Sequence, residues 1–264
     1  MIHRQRRREK SLLPLVNVLN RGTIKLAEID KKYSLFSERK NLRFIDICSA
    51  PGGFIDYILI RKKYSCEGYG ISLPIEKGGI AYALTRDSQN PIHLCYYDIL
   101  DFQSTDYIRG LAKSDLILAD GADVSADIQT TTYLERIILA EIFFIKKFCK
   151  KNGNAVLKLF NIELNSLIFS TLVDLMSHFN FFAFYKPPHS RTMNAEKYLI
   201  LKNFNHKVKH EQLERIANIL LLAEIYYNES QLKAFREDNT CVARNISNEE
   251  YAIFLNLPLT RRNL

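Results

Sequence analysis

The chain has 264 residues, 47% of them hydrophobic, and a formal charge of +8 at pH 7 from 37 Lys and Arg against 29 Asp and Glu. That size and apolar content exclude disorder as the main state and fit one large domain, or one domain with a small extension. The basic balance suits a polyanion, either a nucleic acid or an acidic membrane surface, while five scattered cysteines with no CxxC pair indicate neither a disulfide framework nor a zinc site, and hence a reducing compartment.

Residues 1–20, MIHRQRRREKSLLPLVNVLN, open with a basic arm of Arg4, Arg6, Arg7, Arg8 and Lys10. The apolar part is short, carries Pro14 and lacks a small-residue cleavage site, so it does not read as a secretory signal. The arm reads as a nuclear import signal, a phosphate-contacting tail or a solvated terminus. The expected location is intracellular, the nucleus ahead of the cytoplasm, and the host's nucleus for a viral chain. No apolar run reaches membrane-spanning length, since even RIILAEIFFIKKF, residues 136–148, is interrupted by Glu141 and two lysines.

From Arg43 onward, apolar runs of strand length alternate with helical stretches, the pattern of an α/β protein with a mostly parallel sheet. The spacing predicts strands over residues 43–48, 68–72, 91–96, 115–120, 154–160, 181–186 and 198–203. The clearest helix covers 130–151, where Leu134, Ile137, Ile138, Glu141, Ile142, Ile145 and Phe148 recur at helical spacing and Gly153 signals a stop. It is expected to pack on the sheet and do nothing else. Beyond Asn203 a charged amphipathic helix is predicted over 210–227, then a polar tail. The expected organisation is a basic arm (1–20), one main domain (21–204) and a helical extension packed on it (205–264).

The turn after the first strand, DICSAPGGF, lacks both the GxGxxG of a dinucleotide fold and the GxxxxGK[ST] of a P-loop. A strand carrying Asp46, then a tight turn through Ala50, Pro51, Gly52, Gly53 and Phe54, lets backbone approach a ligand closely. A sulfonium with an amino acid tail fits there as well as a phosphate does.

DxCxAPGGF resembles the cofactor motif of the FtsJ-like S-adenosylmethionine-dependent RNA 2'-O-methyltransferases, and the likeness runs from Asn20 to Phe204. Lys25 in NRGTIKLAEID, Asp120 in DLILADG, Lys158 in VLKLF and Glu196 in SRTMNAEKY match the family's catalytic Lys, Asp, Lys and Glu in order. The likeness is closest to enzymes that methylate the first transcribed nucleotide of capped messenger RNA, through APGGF, RKK at 61–63, GYG at 68–70, ADG at 119–121, then Lys186, Pro187, Ser190, Arg191, Asn194 and the ExY of Glu196 and Tyr198. The bacterial ribosomal branch carries DMAP after the fourth strand instead. The compact form is similar to versions in large DNA viruses of insects (baculovirus-like). The resemblance implies a Rossmann-like class I methyltransferase: a seven-stranded, mostly parallel sheet with an antiparallel last strand and helices on both faces. It further implies S-adenosylmethionine as cofactor, leaving S-adenosylhomocysteine, and capped RNA as partner, with other capping enzymes or the transcription machinery as further partners.

A ribose 2'-hydroxyl is a poor nucleophile, so methyl transfer needs a group that orients it or takes its proton while the methyl lies in line. Lysine, with a free pKa of about 10.4, becomes a base when a second ammonium and partial burial push it down. Lys158 is therefore expected to accept the proton or orient the hydroxyl, with Lys25 lowering its pKa, Lys25 and Glu196 fixing geometry, and Asp120 nearest the methyl. Taken singly, a lysine in VLKLF reads as a strand-end side chain reaching for solvent and Asp120 as the cap of the following turn. Their order and placement at strand ends favour catalysis.

For the cofactor, Asp98 in YYDILDF stands where the family sets an acid against the adenine amino group. The acid many methyltransferases place after the second strand is replaced by Ser72 of GISLP. Arg21, Arg61, Lys62, Lys63, Lys186, Ser190, Arg191 and Asn194 are candidates for RNA contact, and solvated charge is the alternative for the basic ones. The six histidines show no metal spacing, and no metal is required by the sequence. The rivals are the same chemistry on ribosomal or transfer RNA, and a non-catalytic RNA-binding scaffold.

Overall fold

The structure is a computed structural model that describes residues 20–36, 40–62, 65–85, 89–101, 110–121, 131–163, 166–191, 194–207 and 212–236. Residues 1–19 of the basic arm, Lys63, and the extension from 237 onward lie outside the described residues.

Seven strands form one sheet: β1 (Leu42–Ile47), β2 (Cys66–Ser72), β3 (Ile92–Tyr96), β4 (Ser114–Ala119), β5 (Cys149–Leu159), β6 (Phe179–Tyr185) and β7 (Lys197–Phe204). Their order is β3-β2-β1-β4-β5-β7-β6. Strands β1 to β5 run parallel, and β7 inserts antiparallel between β5 and β6. The α/β class and the antiparallel last strand expected from the resemblance are those of the molecule.

Among the described residues, five helices flank the sheet: α1 (Arg21–Tyr33), α2 (Gly53–Arg61), α3 (Thr131–Phe148), α4 (Leu167–Ser177) and α5 (Leu213–Arg236). Because strand side chains alternate, odd and even positions sort into two cores. Ile45, Ile47, Ile117, Ala119, Ala155, Leu157 and Leu199 face α3, α4 and α5. Leu42, Phe44, Leu116, Leu118, Val156, Tyr198 and Ile200 face α1 and α2. Fully burying one such Leu or Ile contributes about 1.5–3 kcal/mol. Asp30 ties α1 to α2 by accepting from the Tyr57 hydroxyl at 2.8 Å. On the other face α5 buries Ile216 and Leu220 in the same core as α4.

The junction of α3 with β5 and the end of α5 differ most from expectation. Helix α3 stops at Phe148 and β5 starts at Cys149, ahead of the predicted start at 154. The cause is pairing: Cys149 lies opposite Ser114, a register irregularity follows between Ser114 and Leu116, and Asn152 takes a left-handed φ of 62°, so the strand passes through KKNG. Helix α5 runs on to Arg236, past the predicted end at 227.

Candidate active site

The carboxyl ends of the parallel strands share one edge of the sheet, and the chain switches direction there between β1 and β4, where open α/β sheets form a crevice. Asp46 lies on β1, Asp120 just past β4 and Lys158 near the end of β5. Glu196 precedes β7, which starts at the same edge because it runs the other way. Asp46, Lys158 and Tyr198 occupy even positions on the α1 side, and α1 buries Lys25 there.

Lys25, Asp120, Lys158 and Glu196 come together as two ion pairs. Lys158 Nζ lies 2.9 Å from Asp120 Oδ1 and donates to the main-chain oxygen of Asp120 at 2.7 Å. Lys25 Nζ lies 2.6 Å from Glu196 Oε1, which also accepts from the Ser190 hydroxyl at 2.8 Å. Tyr198 stands between the pairs, its hydroxyl donating to Asp120 Oδ1 at 2.9 Å and its ring 5.9 Å from Lys25 Nζ.

Electrostatics correct one expectation. Burial does push the Lys158 ammonium down, but Asp120, Glu196 and Glu141 outweigh it, and its pKa lies above the ordinary lysine value. Lys25 was expected to depress it, yet the Lys25 charge is spent on Glu196. Lys158 therefore rests as an ammonium. Burial pushes the Glu196 carboxyl up, but the Lys25 ammonium, then Lys158 and Ser190, bring it below the usual range. Burial, with Asp120 and Glu196, holds Tyr198 well above the usual phenol, so it stays a neutral donor.

Lys158 and Asp120 also line a cavity of about 250 Å³. Of the expected cofactor residues, Ala50, Ser72 and Asp98 line it too; apolar walls come from Leu73, Ile80, Ile99 and Ile137. Asp98 keeps one oxygen on the Leu100 amide at 3.0 Å and the other 3.3 Å from Lys77 Nζ. Asp46, Pro51, Gly52, Gly53 and Phe54 lie outside that lining. Asp46 is fully buried, neither carboxylate oxygen meets a hydrogen-bond partner among the described residues, and burial, with Asp120 and Glu141, drives its pKa well up.

The glycine turn is tight for a reason the sequence did not show. Gly52 has a left-handed φ of 109°, and a Cβ there would meet Leu84 Cδ2 at 2.3 Å. A Cβ on Gly53 would lie 1.8 Å from Oδ1 of Asn20, the residue that caps α1 by accepting from the Thr23 amide at 3.0 Å. A side chain at either position would have to push aside Leu84 or the Asn20 cap.

The RNA candidates divide. Arg21, Lys186, Arg191 and Asn194 lie around the Lys25–Glu196 pair: Arg21 opens α1, and Lys186 donates to the Asn194 carbonyl. Ser190 is buried and turned onto Glu196, away from an open face. Arg61 and Lys62 end α2, which leaves the site edge and spans about 13 Å back along the sheet. They sit by the start of β2 at the opposite edge, which takes them off a phosphate track near Lys158, because a parallel crossover must return the chain.

Two residues were missed. Tyr198 was visible only as the second letter of ExY, whose i, i+2 spacing puts both side chains on one strand face. Glu141 was assigned to a purely structural helix face; it is 1% exposed and Oε1 accepts from the Gly121 amide at 2.9 Å.

Comparison with known proteins locates this geometry. A family model described as FtsJ-like methyltransferase matches residues 18–204. A protein of Autographa californica nuclear polyhedrosis virus named cap-specific mRNA (nucleoside-2'-O-)-methyltransferase is 31% identical over 189 residues, covering 68% of this chain and 70% of the relative. The Dictyostelium discoideum protein named cap-specific mRNA (nucleoside-2'-O-)-methyltransferase 1 is 28% identical over 70% of this chain, which spans only 29% of that longer relative. Ribosomal RNA large subunit methyltransferase E of Methanococcus vannielii is 27% identical over 90% of this chain and 86% of its own length. A solved Plasmodium falciparum structure named as a ribosomal RNA methyltransferase shares the fold, with a TM-score of 0.53 at 24% identity over 72% of this chain and 100% of that one.

Proposed function

The chain belongs to the FtsJ-like methyltransferase family, and from that premise we propose that it transfers a methyl group from S-adenosylmethionine to the ribose 2'-oxygen of the first transcribed nucleotide of a capped RNA. The observation that carries this reading is the Lys158–Asp120 pair on the cavity wall with the Lys25–Glu196 pair beside it.

The residues present fit the cofactor. A fully buried carboxyl with both oxygens unpartnered, Asp46, calls for a cation or N–H donor nearby. S-adenosylmethionine is a sulfonium that presents an electrophilic methyl and carries an α-ammonium. Asp120, on the cavity wall, would hold the cationic end, and Ser72, Asp98 and the apolar walls the adenosine end, with the buried Asp46 carboxyl behind the lining open to an N–H donor.

The chain's own groups then set up the acceptor. Lys158, charged at rest, meets the 2'-oxygen as a hydrogen-bond donor and aims its lone pair. Asp120, fixed by Lys158 and Tyr198, and Glu196, fixed by Lys25 and Ser190, are the carboxylates nearest to take the hydroxyl proton. Positioning is the main contribution, since well-oriented reactants can supply about 7–11 kcal/mol of a barrier.

The capped substrate is supported by the 31% identity to the viral relative and by the motifs after β6. Methylation of ribosomal RNA is the second reading, favoured by the fuller coverage of the archaeal relative. The test incubates the protein with labelled S-adenosylmethionine and matched short RNAs bearing a methylated cap, an unmethylated cap or a 5'-triphosphate, alongside a ribosomal RNA fragment, and maps the labelled position. Label on the first nucleotide only when a cap is present is expected. Label indifferent to the cap, or confined to the ribosomal fragment, overturns the capped assignment.

A further inference from the structure

We propose that Glu141 is a positioning residue of this site, acting on Lys158 through the peptide bond between Asp120 and Gly121. The inference rests on the role given above to Lys158.

The geometry is that of one peptide plane held on both sides. Its N–H, from Gly121, donates to Glu141 Oε1 at 2.9 Å, and its carbonyl, from Asp120, accepts from Lys158 Nζ at 2.7 Å. Fixing the N–H therefore fixes the direction in which the carbonyl points. It also polarises the carbonyl, strengthening the second hydrogen bond by about 10–30%. The approach is close: a Cβ on Gly121 would lie 2.5 Å from Oε1 of Glu141 and 2.7 Å from Ile137, so a side chain after Asp120 would displace the Glu141 carboxyl from the amide.

Among the described residues, the Cys48 thiol also hydrogen-bonds to Glu141. Glu141 sits in α3 among Ile137, Ile138, Ile142 and Ile145, where an apolar side chain would pack without the desolvation cost of a carboxyl. The titratable groups facing it are Cys48 after β1, Asp46 on β1, Asp120 after β4 and Lys158 on β5. Burial first, against the opposing pull of Lys158 and the Gly121 amide, pushes the Glu141 pKa up to about 8. Glu141 is thus mostly neutral at pH 7, and glutamine is its close mimic.

The experiment compares wild type, Glu141→Gln and Glu141→Ala in steady-state methyl transfer, with S-adenosylhomocysteine affinity measured by calorimetry. Glu141→Ala is expected to lose about 10- to 100-fold in kcat, the cost of misplacing a reacting group, with RNA KM and cofactor affinity near wild type. Glu141→Gln restores most of the rate at pH 7. Removing the negative charge that Glu141 gains above about pH 8 also shifts the Lys158-controlled limb of the pH–rate profile to lower pH. A second readout needs no turnover: the Lys158 titration followed by 13C NMR of labelled lysine, assigned with Lys158→Arg, moves to lower pH in Glu141→Gln. Wild-type kcat in Glu141→Ala, equal loss in both variants, or an unmoved Lys158 titration overturns the proposal. An inactive wild type whose Lys158 titration still responds to Glu141 overturns the proposed function alone.

Discussion

The Tyr198 hydroxyl donates to Oδ1 of Asp120 at 2.9 Å, and that same oxygen lies 2.9 Å from Lys158 Nζ. A neutral donor thus shares an acceptor with the ammonium and fixes the carboxylate from the side opposite Gly121. Tyr198→Phe is expected to lower kcat several-fold while leaving RNA KM unchanged. Its effect on folding should be modest, about 1 kcal/mol for one hydrogen bond by urea denaturation. Unchanged kcat would show that Asp120 needs no such strut.

In the proposed reaction Lys158 is the donor that meets the 2'-oxygen. With Lys158→Ala, methyl transfer should fall by about 10²–10³-fold, the range for losing one fixed hydrogen-bond donor, while calorimetric cofactor affinity stays close to wild type. Normal turnover would sink the assignment.

The raised pKa of Glu141 makes a stability prediction. An acid whose folded pKa exceeds its unfolded one binds more protons when folded, so its contribution is complete below the ordinary carboxylate range and is lost as pH rises through about 8. Glutamine carries no such dependence. Urea midpoints of wild type and Glu141→Gln should therefore diverge in favour of the variant between about pH 5 and pH 8.5. A constant difference across that window would mean that Glu141 is not buried as an acid.

What could be read from the chain, and what could not, follows from the range of the interactions. Strand positions were legible from apolar runs, a local signal, whereas Lys25, Asp120, Lys158 and Glu196 were picked out by motif order through the resemblance, and the structure brings them together as two ion pairs. Glu141 was not legible, because a helical apolar stripe reads as core whether or not one member reaches a backbone amide 20 residues earlier. Arg61 and Lys62 misled for a related reason. Their nearness in sequence to the glycine turn hid the fact that α2 carries them to the far edge.

The Asn20–Gly53 contact can be tested by a cycle. Gly53→Ala puts a Cβ 1.8 Å from Asn20 Oδ1 and should destabilise by about 1–3 kcal/mol, an overpacking cost. Asn20→Gly alone should cost only a few tenths of a kcal/mol as a cap change. The double variant should recover part of the Gly53→Ala loss, and strict additivity in thermal denaturation would show that the two do not touch.

Lys197 and Glu224 form a fully buried pair at 2.9 Å that also ties α5 to the Phe160 carbonyl and the Ile162 amide. Breaking it with Glu224→Ala leaves a buried ammonium uncompensated and should destabilise by about 3–5 kcal/mol. Lys197→Met with Glu224→Leu should restore much of that in the same urea assay. A Glu224→Ala midpoint equal to wild type would place α5 elsewhere.

Because β7 pairs antiparallel with β5, Lys158 sits directly opposite Tyr198. A slip of one residue would turn Glu196 and Tyr198 away from α1 and bring Lys197 round in their place. Turnover is therefore a test of strand pairing that spectroscopy lacks. A refolded sample with native circular dichroism but partial specific activity would contain a misregistered fraction, countable from the missing rate.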